Sequence, residues 1–240
     1  MVLRPIYYDT ETTGLKWQTD KIIELAAYDP VNDKTFETLI NPQTPIPKEA
    51  TAIHHITDNM VKDAPLLAKA ANDFVEFLGT DFVLIAHNND GFDKYFMEAA
   101  FKELGIDISC WKYIDSLKWA RKYRRDLPSH KLQYLREVYG ILANQAHRAL
   151  DDVMVLYEVF SKMIDDLPME KVINLIYNTG APAQKSGVMT FGKHQGKPLG
   201  EVPPGYVAWM QKSELLDKEE HRSLKEEFQK LGLLKQGASA

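Results

Sequence analysis

A short apolar strand that runs into two carboxylates is the feature that most constrains this chain. Residues 6–14 read Ile-Tyr-Tyr-Asp-Thr-Glu-Thr-Thr-Gly, so Asp9 and Glu11 are two positions apart. Alternate side chains of a strand point to the same face, which brings both carboxylates to one side. A cation between them would offset their repulsion. The segment predicts a metal site, with a turn at Asp9 and a helix cap at Glu11 as the alternative.

The helical pattern after residue 147 predicts a further inward carboxylate. Leu156 and Val159 follow Asp152 by four and seven residues, which places Asp152 on the apolar stripe of the helix. Asp151 instead shares a stripe with Glu158 and is expected on the more polar face. A carboxylate that faces the core is costly unless it is paired or coordinated. The pattern therefore favours Asp152 over Asp151 as a metal ligand.

Asp93 has the same relationship to a second predicted helix. Phe96, Met97 and Ala100 follow it by three, four and seven residues, so Asp93 is expected to face the sheet. The alternative is that Asp93 only begins the helix, where the helix dipole stabilises a negative charge.

His147 lies five residues before Asp152, which is about 140° around an ideal helix. Both side chains cannot point inward from one helix, so His147 is expected to precede it. A histidine has an unperturbed pKa of about 6.5, which suits it to accept a proton from water near neutral pH.

Together these residues resemble the DEDDh exonucleases of the DnaQ-like superfamily, which carry Asp-x-Glu, a central Asp and His-x-x-x-x-Asp. The matching positions are Asp9, Glu11, Asp93, His147 and Asp152. The resemblance implies an α/β fold with a ribonuclease H-like mixed β-sheet flanked by helices. It also implies two divalent ions, Mg²⁺ or Mn²⁺, bound by the four carboxylates, with Asp9 bridging both ions and His147 activating water. The implied reaction is metal-dependent 3′-to-5′ release of nucleotides from DNA.

The same resemblance implies a set of substrate contacts. They would involve Thr10, Leu15, His54, His55 and Asn88. Leu15 would wedge against the terminal base, and His54 or His55 would line the same pocket. His87 precedes Asp93 by six residues where many relatives have five, so the loop around Asn88 is expected to be one residue longer.

A basic segment offers a candidate phosphate-binding surface in a chain whose formal net charge is −5. Residues 118–136 contain seven basic residues and one acidic residue, including Arg121, Arg124 and Arg125. Such clusters bind phosphates, and the interleaved Tyr123 and Tyr134 could stack on bases. A solvated helical face is the alternative. The predicted partner is DNA, with single-stranded or duplex 3′ ends, and RNA is a further candidate.

The distribution of Pro and Gly predicts three parts. Residues 1–165 would form the exonuclease domain, 166–186 a linker and 187–240 a small α+β module. This tail resembles the carboxy-terminal module of the bacterial exodeoxyribonuclease X group, the nearest relative indicated by the motifs. Tyr206 and Trp209 would either pack in its core or contact nucleic acid beside Lys193 and Lys197.

Composition agrees with an enzyme of the cytoplasm. Cys110 is the single cysteine, so no intramolecular disulfide can form, and no charged-then-apolar leader follows Met1. No apolar run reaches the ~20 residues that a membrane span needs. The motifs leave three alternative functions: the same chemistry on RNA 3′ ends, proofreading beside a polymerase, and a non-catalytic nucleic-acid-binding adaptor.

Overall fold

The computed structural model describes residues 3–142, 148–177, 187–189, 192–194, 196–213, 215–217 and 221–234. Two compact units make up the chain, Met1–Tyr177 and Asn178–Ala240. Among the described helices, none combines the length and the apolar character that crossing a membrane would require.

A five-stranded mixed sheet forms the centre of the first unit. Its strands are β1 (Arg4–Thr12), β2 (Ile22–Asp29), β3 (Lys34–Leu39), β4 (Phe82–Ala86) and β5 (Tyr113–Asp115), in the order β3-β2-β1-β4-β5. The pairs β1–β2 and β2–β3 are antiparallel, whereas β1–β4 and β4–β5 are parallel. The mixed sheet with flanking helices agrees with the predicted α/β class.

Eight α-helices are described in the first unit. They are α1 (Lys48–His54), α2 (Asp58–Val61), α3 (Leu67–Leu78), α4 (Asp93–Glu103), α5 (Ser116–Tyr123), α6 (Leu132–Val138), α7 (Ala149–Ile164) and α8 (Met169–Ile176). Apolar periodicity predicts α3, α4 and α7, but it does not predict α1 and α2, which are too short to show a period.

Alternate residues of β1 supply two separate cores. Tyr8 packs in one core with Phe74 of α3 and Phe101 of α4. Tyr7 packs in the other core with Phe160 of α7. Asp9 and Glu11 continue the Tyr7 face, so the two carboxylates are directed to the side of the sheet that α7 covers.

The segment predicted as a linker contains α8, and Val172 of this helix is buried in the core of the first unit. In the second unit, α9 (Pro204–Lys212) and α10 (Arg222–Lys230) enclose a small core that includes Met210 and Phe228. A single β-bridge between Val188 and Pro198 is the extended pairing in the described part of this unit. The division into an exonuclease domain and an accessory module stays a prediction.

Candidate active site

Three carboxylates converge between β1 and α7. Oxygens of Asp9, Glu11 and Asp152 all lie within 4.8 Å of one another. Asp9 and Glu11 lie inside β1, where Glu11 pairs with Glu24 of β2, so the turn-and-cap alternative is excluded. Asp151, although adjacent in sequence, does not belong to this cluster. The structure therefore has Asp152, and not Asp151, directed toward Asp9 and Glu11, as the helical pattern predicts.

Asp93 approaches the same site from the opposite helical layer. It is the first residue of α4 and is 2% exposed. The backbone N–H of Thr10 donates to Asp93 Oδ1 at 3.2 Å and the Thr10 hydroxyl donates to the same oxygen at 2.8 Å. Thr10 is itself buried, and its two hydrogen bonds orient the Asp93 carboxylate. A contact between Thr10 and a substrate stays a prediction.

The electrostatics of the cluster are those of a cation site. Burial, followed by the charges of Asp93 and Glu11, raises the pKa of Asp9 well above its usual value. Burial and the neighbouring Glu24 raise the pKa of Glu11 to about 8, and burial raises the pKa of Asp93 to about 7. Bound cations would keep these groups ionised at neutral pH.

The donor set fits Mg²⁺ or Mn²⁺. All of its donors are carboxylate oxygens, which such hard ions prefer. Octahedral Mg²⁺ has oxygen ligands at about 2.0–2.1 Å, so two of its ligands are at most about 4.2 Å apart. The carboxylate oxygens, within 4.8 Å of one another, need only small adjustments to share an ion.

Metal-free protein should therefore lose stability as the pH rises from 6.5 to 8.5. An acid with a raised pKa in the folded state retains a proton that the unfolded chain has released, so the stability of the fold decreases as the pH rises toward that pKa. The raised pKa is about 7 for Asp93 and about 8 for Glu11. Burial lowers the pKa of His87 from 6.5 to about 4. This histidine makes stability increase with pH, but only below pH 6.5, where the unfolded chain binds the proton.

Thermal unfolding with chelator or with Mg²⁺, at both pH values, measures this coupling. We expect Mg²⁺ to raise the Tm more at pH 8.5 than at pH 6.5, because ion binding releases protons from these carboxyls. An equal or smaller Mg²⁺ effect at pH 8.5 would contradict the assignment of the cluster as a cation site.

Two polar contacts that the sequence does not predict fix the position of α7. Glu24 is fully buried in β2 and accepts hydrogen bonds from Arg148 Nη2 and the Ala149 N–H, both at 3.0 Å. Gln133 donates through Nε2 to Asp152 Oδ1 at 2.9 Å. The signal for the first contact is an acid within the apolar run Ile-Ile-Glu-Leu-Ala-Ala, because an unpaired buried charge is costly.

His147 lies outside the described residues. Arg148 is the N-cap of α7, which begins at Ala149, so the helix that carries Asp152 starts after His147 in the sequence. The role of His147 as the general base stays a prediction.

An open groove of about 850 Å³ adjoins the carboxylate cluster and includes Glu11 in its lining. Leu15, His54 and Phe92 also line it. Leu15 is 81% exposed, whereas His54 is buried and accepts a hydrogen bond at Nδ1 from the Ile56 N–H at 3.0 Å. His55 is exposed and does not line the groove. Of the two histidines, only His54 lines this groove, and a contact of Leu15, His54 or His55 with a substrate stays a prediction.

The loop after β4 is held by Asp115. Asp115 accepts hydrogen bonds from the N–H groups of Asn88 and Asp90, both at 3.1 Å, and also caps α5. Asn88 adopts a left-handed conformation with φ 70° and its side chain is exposed, whereas the neighbouring Asn89 is buried and accepts from the Tyr8 hydroxyl. A contact of Asn88 with a substrate stays a prediction.

The basic segment is less available for phosphate than its composition suggests. Four of its seven cations have acceptors within the protein: Lys118 with Asp90, Lys122 with the Leu175 carbonyl, Arg124 with Asp126, and Arg136 with the Ile141 carbonyl. Arg121, Arg125 and Lys131 are exposed, and their side chains form no hydrogen bond with another described residue. These three could meet a phosphate without giving up a described contact, whereas Arg124 would have to share its charge with Asp126. The phosphate contacts of Arg121, Arg124 and Arg125 stay predictions.

Comparison with known proteins identifies the family. A model of the RNase T exonuclease family matches residues 6–160. The chain belongs to this family. The match confirms the predicted exonuclease superfamily and spans every proposed metal ligand.

One curated relative is a polymerase. The PolC-type DNA polymerase III of Caldanaerobacter subterraneus subsp. tengcongensis is 38% identical over 165 residues, which are 68% of this chain and 12% of that protein. The chain therefore spans about an eighth of the length of this relative.

Solved structures confirm the predicted ribonuclease H-like fold. Exonuclease I without ligand aligns with a TM-score of 0.61 at 19% identity, covering 74% of this chain and 45% of that one. Exonuclease X in complex with 5′ overhanging duplex DNA aligns with a TM-score of 0.56 at 24% identity, covering 72% of this chain and 99% of that one.

Proposed function

We propose that the chain is a metal-dependent 3′-to-5′ exodeoxyribonuclease. The observation that carries the proposal is the convergence of Asp9, Glu11 and Asp152 beside Asp93, at the edge of an open groove. A structural role alone does not account for these neighbouring acids, three of which have raised pKa values and one of which, Glu11, lines the groove. Membership of an exonuclease family supports hydrolysis of a phosphodiester at a chain end.

The residues of this chain would divide the work as follows. Asp9, Glu11, Asp93 and Asp152 would hold two divalent ions. In such sites bound ions acidify water and stabilise the leaving oxygen. Thr10 keeps Asp93 oriented, and Glu24 with Arg148 keeps the start of α7 against β2. His147 would take the proton from the attacking water, and Leu15 would pack against the terminal base.

DNA is the substrate that the relatives favour. One relative is a DNA polymerase and one structural neighbour was solved with duplex DNA. The exposed Arg121, Arg125 and Lys131 provide cations for the phosphates of a bound strand.

The deciding experiment uses 5′-labelled single-stranded DNA and RNA of the same sequence, with Mg²⁺ and with excess chelator. We expect stepwise shortening of the DNA from its 3′ end with Mg²⁺ and none with chelator, and the folded state should persist in both. Shortening of RNA alone would replace DNA by RNA as the substrate. Full hydrolysis in excess chelator, or none of either strand with Mg²⁺, would refute the proposal.

Removal of mismatched primer ends is a second candidate function, favoured by the 38% identity to a segment of a PolC-type polymerase. Primer–template duplexes with paired or mismatched 3′ ends separate the two candidates. Faster release from the mismatched end would support proofreading, and equal rates would support general degradation.

A further inference from the structure

One helix of the second unit presents an aromatic edge to solvent. Val207 and Met210 of α9 are fully buried in the core of this unit, whereas Trp209 between them is 52% exposed. The Trp209 ring lies beside that of the half-buried Tyr206, with centroids 5.3 Å apart and planes inclined by 32°. Trp209 therefore does not pack in the core, which was one of the two interpretations of the sequence, and Tyr206 forms the border between core and surface.

A loop that carries two lysines passes over the same aromatic edge. The His194 ring packs edge-on against Tyr206 with centroids 4.6 Å apart. Gly192 has φ 74°, and a Cβ at this position would lie 2.5 Å from the Tyr206 hydroxyl oxygen. The close approach of this backbone to Tyr206 thus depends on a glycine. Lys193 lies between Gly192 and His194 in this loop, and the Lys197 N–H donates to the His194 carbonyl at 3.1 Å.

Three lysines on the loop and on α9 are exposed. Lys193, Lys197 and Lys212, which is one turn beyond Trp209 on α9, are all exposed. None of the three forms an ion pair with another residue that the structure describes.

A single exposed indole is common and needs no explanation. Rings in a row on the same unit as exposed lysines are instead the combination that binds single-stranded nucleic acid, because bases stack on the rings and phosphates contact the cations. A duplex offers no unstacked base to such rings, and a neutral apolar partner would leave the lysines without counter-charge.

We propose that this surface binds a single-stranded segment of the DNA substrate. It consists of Lys193, His194, Lys197, Tyr206, Trp209 and Lys212, and we call it the aromatic-lysine patch. The inference rests on the proposed function for the choice of DNA as the ligand. The patch would be a second DNA-binding site in addition to the groove of the first unit. Its residues are separate in sequence from all the proposed metal ligands.

Binding of a 5′-fluorescein-labelled 20-nucleotide oligo(dT) to the full chain in excess chelator tests the patch without hydrolysis. Trp209→Ala should weaken the affinity at least about fivefold, the lower end for loss of one base–aromatic stack. Trp209→Phe should retain the affinity, since phenylalanine also stacks, but should lose the part of the tryptophan fluorescence quenching that Trp209 contributes. Lys230→Gln, an exposed lysine in the last turn of α10, is the matched control and should bind like the wild type.

The lysines give an independent readout. The double variant Lys193→Gln/Lys197→Gln should reduce the slope of log affinity against log salt by about 0.7 for each phosphate of a single strand that the protein no longer neutralises. Wild-type affinity of Trp209→Ala, or an unchanged salt slope of the lysine variant, would overturn the proposal. If Trp209→Ala does not fold, the lysine variant decides alone.

Failure of the patch and failure of the proposed function are distinguishable. Binding is measured in chelator, whereas the nuclease assay uses wild-type protein with Mg²⁺. A chain that binds the oligonucleotide through Trp209 but hydrolyses nothing would retain the patch and lose the exonuclease assignment. An active chain whose affinity for the oligonucleotide does not change when Trp209 is replaced would retain the exonuclease assignment and lose the patch.

Discussion

Asp152→Asn should reduce exonuclease turnover by at least about 100-fold, comparable to the loss of a group that stabilises charge in a transition state. The substitution removes one anionic oxygen from the cluster that Asp152 forms with Asp9 and Glu11. Asparagine keeps the size of the side chain and can still accept the hydrogen bond from Gln133 Nε2. The measurement is the initial rate on labelled single-stranded DNA over a range of Mg²⁺ concentrations.

The neighbouring acid provides a matched control. Asp151 lies on the same turn of α7 and is similarly half-buried, but it is outside the cluster. Asp151→Asn should change the rate by less than about threefold, as expected for a substitution away from a special feature. A severe effect of Asp151→Asn together with a mild effect of Asp152→Asn would refute the proposed ligand set.

The inward orientation of each carboxylate in the cluster could be predicted from the sequence because it is set by local periodicity. The period of two in a strand places Asp9 and Glu11 on one face, and the helical period places Asp152 rather than Asp151 inward. Both arguments need only neighbouring residues. The family of the fold, and the meeting of these carboxylates in one site, required the motif resemblance in addition.

The contacts that hold the cluster in place could not be predicted, since each joins residues far apart in the chain. Arg148 reaches Glu24 across 124 positions, and Thr10 reaches Asp93 across 83. For the same reason, counting charges between residues 118 and 136 overestimated the number of cations without a partner in the protein: the acceptor of Lys122 is the Leu175 carbonyl, 53 positions away.

The exposure of Trp209 was equally outside the reach of local patterns. Tyr206 and Trp209 are three residues apart on a helix, a spacing typical of a core stripe and of an exposed stripe alike. Only the packing of Val207 and Met210 into the second unit shows which stripe is inside. Helical spacing identifies residues that share a face, and the tertiary contacts decide which way that face is turned.

His147→Ala should reduce turnover by about 10²–10⁴-fold, the usual contribution of a positioned general base, and should leave the KM for the oligonucleotide nearly unchanged. Wild-type kcat should fall as the pH drops and this imidazole takes up a proton, because a protonated imidazole cannot accept a proton from water. Added imidazole should restore part of the activity of the variant. Rates from pH 5.5 to 8.5 with saturating substrate measure these effects.

The two variants together separate a base from a metal ligand. Mg²⁺ should still stabilise His147→Ala against thermal unfolding, because the four carboxylates remain, whereas Asp152→Asn should lose most of that stabilisation. If His147→Ala turned over substrate like the wild type, a different group would have to take the proton. If it instead lost the Mg²⁺ effect, His147 would serve the ion cluster rather than the water.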